Sequence, residues 1–357
     1  MNRMLTRIDV EAACLGGAVL GGGGGGWRDD GRRMGELAVT MGSPRLIDLS
    51  ELADTDTVLT VSAVGAPAAI ERYIEPVDYL RAVQLLMEAL DLRPAALITN
   101  ENGGAATLNG WVQSACLGIP VLDAPCNGRA HPTGIMGSMG LHQVPGYVSV
   151  QSAVGGDPRQ GKRLEVVARG GLAAASTLIR QTAVQAGGLV AVARNPVQAA
   201  HVRDHGAPGA ITQAIGLGRA MLDAPASERA QAAAAFLGGS LSVRGTVTAF
   251  ALETKGGFDV GRLTVAAAGQ EFGLTFWNEY MTLDGRCRLA TFPDLIMTLD
   301  TEGLPVTSAE LKEGRKIQVL VVPADRLILG AGMRDKALFA AAEEAVGASL
   351  IPYAFPG

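Results

Sequence analysis

Six consecutive glycines, Gly21 to Gly26, follow an apolar, helix-like stretch and lead into Trp27-Arg28-Asp29-Asp30. A helix cannot run through them, because each glycine costs about 1 kcal/mol relative to alanine in a helix interior. Glycine also lets backbone approach a ligand closely and reach φ values closed to other residues. The surrounding composition is not that of a Ser/Pro-rich linker, so the run reads as an ordered loop that serves a site. The glycines do not make a phosphate-binding loop, since no lysine with Ser/Thr follows them. They do not make a dinucleotide fingerprint either, because the segment before them is helical and not a strand. No nucleotide cofactor is expected.

The 357 residues are 48% apolar and 18% charged with a formal net charge of −5, the profile of a globular chain that buries a large core, most simply as two domains. The mild acidity argues against nucleic acid as a partner, and no apolar run reaches membrane-spanning length. Cys14, Cys116, Cys126 and Cys287 are widely spaced, which suits reduced thiols and a cytoplasmic location.

Asp9 is placed to cap a helix over 10–20, and a second helix is expected over 28–41. Strands at 45–48, 57–64, 95–99 and 120–122, with helices at 77–90 and up to 117, alternate as βαβ units do. Further on, a strand at 163–168, a helix at 172–186 and a strand at 189–193 precede two alanine-rich helices at 208–223 and 227–236. From Ser240 the pattern turns to strands, at 243–252, 262–267, 273–278, 286–290, 295–299 and 317–322. A helix at 334–346 and an apolar tail at 350–355 close the chain, and the tail points to a homo-oligomer. The expected fold is therefore α/β in two domains: an N-terminal α/β sheet domain, 1–158, and a C-terminal mixed α/β domain rich in strands, 159–357.

Ligands of βαβ sheets bind at the carboxyl ends of the strands. Two loops at such ends carry chemistry: Asn100-Glu101-Asn102-Gly103-Gly104, and the segment from Asp123 to His131. The second holds Asp123, Cys126, Asn127, Arg129 and His131, and His142 follows. Asp123, His131 and His142 are of the types that hold a hydrolytic zinc or similar ion, with Glu101 as a further ligand or general base. Alternatively, Cys126 acts as nucleophile with His131 as base. In the plainer reading Asp123 caps the loop, and His131 merely precedes Pro132 in a turn. Arg129 is the candidate for gripping an anionic substrate group, with Gly23, Gly24 and Gly25 supplying backbone donors. Asn102, Gly103, Gly104 and Asn127 complete the expected binding set. Aromatic-bearing segments 275–280 and 291–294 stand out: either Asn278, Glu279 or Asp294 reaches in from the second domain, or the segments pack at a strand edge with Asp294 fixing a turn. His201 and His205 read as surface residues.

Leu15-Gly16-Gly17-Ala18-Val19-Leu20 and the glycine run, Gly65-Ala66-Pro67, Glu101 with Gly103-Gly104, Asp123 followed by Gly128-Arg129-Ala130, and Pro293-Asp294-Leu295-Ile296 occur in one order along the chain. Together they resemble the S-methyl-thiohydantoin desulfurase-like family, associated with hydantoinase and oxoprolinase systems. The resemblance covers essentially the whole chain. It implies a two-domain α/β protein and hydrolytic or desulfurising chemistry on a five-membered cyclic imide or thiohydantoin, with a metal as one option. The chain departs from the family pattern at three places. Its run is all glycine where relatives carry threonine, Trp27-Arg28 replaces Asp-Pro, and the Asp123 loop has a cysteine, with His131 where an aromatic residue is usual. A non-catalytic partner subunit of a hydantoinase-type system, and a lyase or isomerase acting on a small acid, remain the alternatives to a hydrolase.

Overall fold

In a computed structural model describing residues 2–66 and 69–356, the chain opens with strand β1 (Asn2–Met4) and helix α1 (Arg7–Leu20). Thr6, not Asp9, is the N-cap. Asp9 is its capping-box partner: the Asp9 amide donates to Thr6 Oγ1 at 3.4 Å, and the Thr6 amide donates to Asp9 Oδ2 at 2.9 Å. From Ala12 to Leu20 every residue of α1 is buried, which explains its unbroken apolar sequence. One side of α1 packs with Trp111 and Ile211, and the other with Leu295, Met297 and Phe339. The helix is thus a shared wedge between the two halves of the molecule, and it delivers the glycine run to the space between them.

The next elements follow the sequence pattern: α2 (Arg28–Met41), β2 (Arg45–Ile47), β3 (Thr57–Gly65), α3 (Pro76–Leu90), β4 (Ala96–Thr99), α4 (Trp111–Leu117) and β5 (Val121–Leu122). Pro67 of the Gly65-Ala66-Pro67 segment lies outside the described residues. Strands β2, β5, β4 and β3 are parallel neighbours, as two successive βαβ units require. β6 (Ser149–Gly155), β7 (Leu164–Gly170), α5 (Leu172–Gln185) and β8 (Leu189–Gln198) continue the chain, and these strands extend the sheet in antiparallel fashion, giving the order β1-β2-β5-β4-β3-β8-β6-β7. β6 carries no strand signal because Ser149, Gln151 and Ser152 interrupt its apolar residues. All three are buried and bonded, Ser149 to Asn195 at 2.7 Å and Ser152 to the Ala82 carbonyl at 2.6 Å. β7 and β8 lie past residue 158 in sequence yet complete the first sheet, so sheet membership changes only after β8.

Helices α6 (Ala199–His205), α7 (Ala210–Asp223) and α8 (Arg229–Leu237) lead to a second, wholly antiparallel sheet. Its strands are β9 (Ser240–Lys255), β10 (Phe258–Ala267), β11 (Gln270–Trp277), β12 (Glu279–Asp284), β13 (Arg288–Thr291), β14 (Leu295–Leu299), β15 (Pro305–Val306) and β16 (Lys316–Val322), in the order β13-β12-β11-β10-β9-β16-β14-β15. β12 escapes the sequence reading because only Asn278 separates it from β11. That residue turns the chain with φ 57°, a conformation asparagine tolerates. The closing helix is shorter than its alanine pattern suggests: α9 (Ala340–Val346) follows 3₁₀ turns, and α10 (Ile351–Ala354) ends the chain. In the apolar tail Leu350 is buried and the Phe355 ring meets Phe339 edge-on at 4.8 Å, so these two side chains are used within the chain. No described helix is long and apolar enough to cross a membrane.

The α1–α7 crossing depends on glycine. A Cβ on Gly218 would lie 1.8 Å from the Ala12 carbonyl oxygen, and one on Gly16 would lie 1.9 Å from that of Ala214. Backbone cannot yield as a flexible side chain can, so Gly218→Ala is expected to cost about 1–3 kcal/mol, read as a lowered urea midpoint. Gly170→Ala, where the new Cβ has nothing within 4 Å, is expected to change the midpoint little.

Candidate active site

A cavity of about 400 Å³ opens between the sheets, lined by Gly23 to Gly26, the ends of β3 and β4, residues 131–134, and Asn278, Glu279 and Ser308 from the second sheet. Gly23 and Gly25 hold φ at 101° and 76°, where side chains are disfavoured. Contacts also require the absence of side chains: a Cβ on Gly24 would sit 1.9 Å from Glu279 Oε1, and one on Gly25 would sit 2.5 Å from the Gly103 Cα. The loop carbonyls are spent on both halves of the protein. Gly22 O accepts from the Tyr280 amide at 2.7 Å, Gly23 O from the Ser308 amide at 2.9 Å, and Gly25 O from the Ala105 and Ala106 amides at 3.1 and 3.0 Å. At the mouth, the Arg72 guanidinium lies 4.0 Å over the Trp27 ring and pairs with Asp30 at 2.9 Å.

Two carboxyl groups of different origin face this space. Glu101 follows β4, and its Oε2 accepts from the His131 amide at 3.2 Å and from Asn100 Nδ2 at 3.3 Å. Burial raises its pKa to about 7, although the His131 amide, Arg194, Asn100 and Arg180 oppose the shift. Glu279 opens β12, where the Asn278 turn presents it. It is 2% exposed, and its Oε2 has no hydrogen-bond partner. Burial first, and then the charge of Glu101, hold it well above the usual carboxylate range. His131 is neutral: burial, with Arg194 adding to it, pushes its pKa down to about 3.

Two arginines balance the acids. Arg194, from β8, donates to Asn100 Oδ1 at 2.6 Å. Arg180, from α5, donates to the Gly257 carbonyl at 2.7 Å and lies 3.9 Å over the Phe258 ring. Burial pulls Arg180 down to about 10, which leaves it cationic at neutral pH, and burial lowers Arg194 as well. The sequence reading passed over this pair. The available signal was Arg194 itself, the one charge in the strand Leu189–Gln198, directly after the apolar run 189–193. Among the described residues, eleven have a buried polar side-chain atom without a partner. Five of these residues, Trp27, Ser62, His131, Arg194 and Glu279, line the cavity, where a bound molecule or water can reach them.

The rest of the expected set serves the scaffold. Asp123 lies outside the cavity and caps α7: Oδ1 accepts from the Ile211 and Thr212 amides at 2.8 and 3.2 Å, and Oδ2 accepts from the Thr212 hydroxyl. Cys126 is buried against Thr60 Oγ1 at 3.4 Å, and burial raises its thiol to about 11, so it is neither ionised nor on the cavity wall. His142 sits apart, with Nε2 2.7 Å from Asp335. Asp123, His131 and His142 therefore do not converge as a ligand set, and among the described residues no cluster of three His, Cys, Asp or Glu side chains is placed to hold a metal ion. Arg129 is fully buried and works as a cross-brace instead of a substrate clamp. It donates to the Pro293 and Asp294 carbonyls at 3.0 and 2.5 Å and lies 4.6 Å over the Phe292 ring.

Asn102 bonds the Gly128 and Ala210 carbonyls at 3.1 and 2.8 Å, and Asn127 bonds the Arg129 carbonyl and the Gly330 amide at 2.9 and 3.0 Å. Gly103 gives the glycine loop room, a Cβ there falling 2.4 Å from the Gly25 Cα, and Gly104 does the same for Gly26, whose oxygen would be 2.8 Å from a Cβ. Asp294 ties down its own turn through the Thr291 and Ala324 amides at 3.3 and 2.8 Å. None of these side chains reaches the cavity wall.

Two solution measurements follow. The folded chain holds a proton on Glu101 between about pH 4.5 and 7 that the unfolded chain releases, so this residue's contribution to stability falls as pH rises through that window. Glu101→Gln is therefore expected to lose stability less steeply than wild type between pH 5 and 7.5 in urea titrations. Alkylation at pH 8 is expected to label the exposed Cys116 and Cys287 in the folded protein, and to reach the buried Cys14 and Cys126 only after unfolding.

The sequence model described as "S-Me-THD-like, N-terminal domain" matches residues 8–159, and "S-Me-THD-like, C-terminal domain" matches residues 172–333. No curated protein matches. Among solved structures, the crystal structure of a protein from Chromobacterium violaceum aligns with a TM-score of 0.73 at 20% identity, covering 96% of each chain, which shows a shared fold. The chain belongs to the S-Me-THD-like family.

Proposed function

We propose that this chain hydrolyses a small five-membered cyclic amide, imide or thiohydantoin in the inter-sheet cavity, cutting a C–N or C–S bond with Glu101 and Glu279 as an acid–base pair. The observation that carries this reading is the pair itself: two buried carboxyl groups, one from each sheet, both raised and both on the wall of a cavity large enough for a small ring. A pKa near 7 lets Glu101 take a proton from water at neutral pH, while burial and the charge of Glu101 favour the protonated form of Glu279, which makes it the donor. In the reaction, Glu101 accepts a proton as water oxygen bonds to the electrophilic ring carbon. The bond to the leaving nitrogen or sulfur then breaks as Glu279 protonates that atom, and the proton held by Glu101 passes through water to the Glu279 carboxylate, which restores both groups. Arg194 and Arg180 stabilise the negative charge that develops on the ring and favour a substrate with an anionic group. The family name and the resemblance support the substrate class, and no step draws on a metal.

Turnover of a panel of hydantoins, thiohydantoins and S-alkyl thiohydantoins tests this. Glu101→Gln and Glu279→Gln are each expected to lower kcat/KM by about 10²–10⁴-fold, while Cys126→Ala keeps activity within a few-fold. In the wild type kcat/KM is expected to rise with pH through about 7 as Glu101 ionises, and to fall at higher pH as Glu279 loses its proton. Full activity in Glu101→Gln would refute the assignment.

A further inference from the structure

We propose that Arg194 and Asn100 lock His131 as a neutral imidazole with its proton on Nδ1, so that His131 is a positioning residue that turns a lone pair toward Glu101. The positioning role rests on the acid–base reading of Glu101. The tautomer does not.

A guanidinium only donates, so the Asn100 side-chain atom 2.6 Å from Arg194 Nη2 must be the oxygen. The other arm of the amide is then fixed as NH₂. It lies 3.0 Å from His131 Nε2 and 3.3 Å from Glu101 Oε2. An N–H at His131 Nε2 would point at those hydrogens, so Nε2 must carry the lone pair and the ring proton must sit on Nδ1. Nδ1 has no hydrogen-bond partner among the described residues, so the choice of tautomer is made at Nε2, where the Asn100 amide at 3.0 Å lies closer than Glu101 Oε2 at 3.3 Å. The ring has little room to turn aside: a Cβ on Gly137 would be only 2.5 Å from its Cε1 and 2.7 Å from Nε2. The charged groups acting on the ring are Glu101, at 3.3 Å, Arg194 and Arg129, and the two cations disfavour the imidazolium.

This arrangement places the His131 Nε2 lone pair 3.3 Å from Glu101 Oε2. An ionised Glu101 would set two acceptors against each other across that gap, which protonation of Oε2 relieves. His131 thus adds to desolvation in favouring the acid form of Glu101, and it holds Oε2 inward through both its backbone amide and its ring.

Protein labelled with ¹⁵N-histidine, in which His131 signals are assigned by their loss in His131→Gln, reads the tautomer directly in a two-bond proton–nitrogen correlation. The Nδ1–H neutral pattern is expected at pH 7 and unchanged from pH 5.5 to 8. An Nε2–H or imidazolium pattern would overturn the proposal. Asn100→Asp replaces the amide donor with an acceptor and is expected to move the ring proton to Nε2; an unaltered pattern in that variant would show that Asn100 does not set the tautomer. For the positioning role, ¹³C-carboxyl titration of Glu101 in His131→Gln, whose amide can donate to the carboxylate, is expected to shift down by about one pH unit. An unmoved titration there would leave His131 without influence on Glu101. None of these spectra requires turnover, so they separate this proposal from the hydrolytic reading.

Discussion

The backbone clamp between the glycine run and the second sheet is the contact on which the site depends. Gly22 O meets the Tyr280 amide and Gly23 O meets the Ser308 amide, while Gly24 lies flat against the Glu279 side chain. Main-chain contact at this range requires residues without Cβ atoms, which is why one residue type is repeated where a mixed loop would be expected. The clamp fixes Glu279 relative to the end of β4, and with it the spacing of the two carboxyl groups. Arg129 reinforces it from behind by joining the loop after β5 to the Pro293 and Asp294 carbonyls. The Arg129 guanidinium thus holds the sheets together, while Arg180 and Arg194 face the cavity.

Assembling this cavity costs stability. Two carboxyl groups that prefer to be neutral, two desolvated arginines and several unpaired polar atoms share one wall. Each such group is unfavourable on its own, and the proposed binding and catalytic role gives a reason for their clustering in one place. The surrounding scaffold offsets that cost with close helix contacts such as Gly16 and Gly218 in the α1–α7 crossing, and with well-satisfied caps such as Asp123 on α7.

Much of the fold was legible in the residues. Apolar periodicity located α1 to α4 and the strands β2 to β5, because each buries a continuous stripe. β6 and β12 were hidden for local reasons: buried serines and a glutamine satisfied by distant partners in one, and a single-residue turn in the other. The site was legible in part. Glu101, His131 and the glycines are local to conspicuous loops, and their chemistry can be read from their types. The roles of Asp123, Cys126, Arg129 and His142 could not be read that way. Each is decided by a partner far along the chain: Thr212, Thr60, Pro293 and Asp335 respectively. Arg180 and Arg194 were missed because their function arises only where β8 and α5 meet the end of β4.

The measurement that most directly tests the account is a crystal structure with an unreactive five-membered cyclic amide or thiohydantoin analogue bound. The ring is expected in the inter-sheet cavity, with one polar atom within hydrogen-bond distance of Glu279 and its electrophilic carbon within reach of a water held by Glu101. A ring bound elsewhere, or one lying in the cavity with contacts to neither carboxyl group, would contradict it.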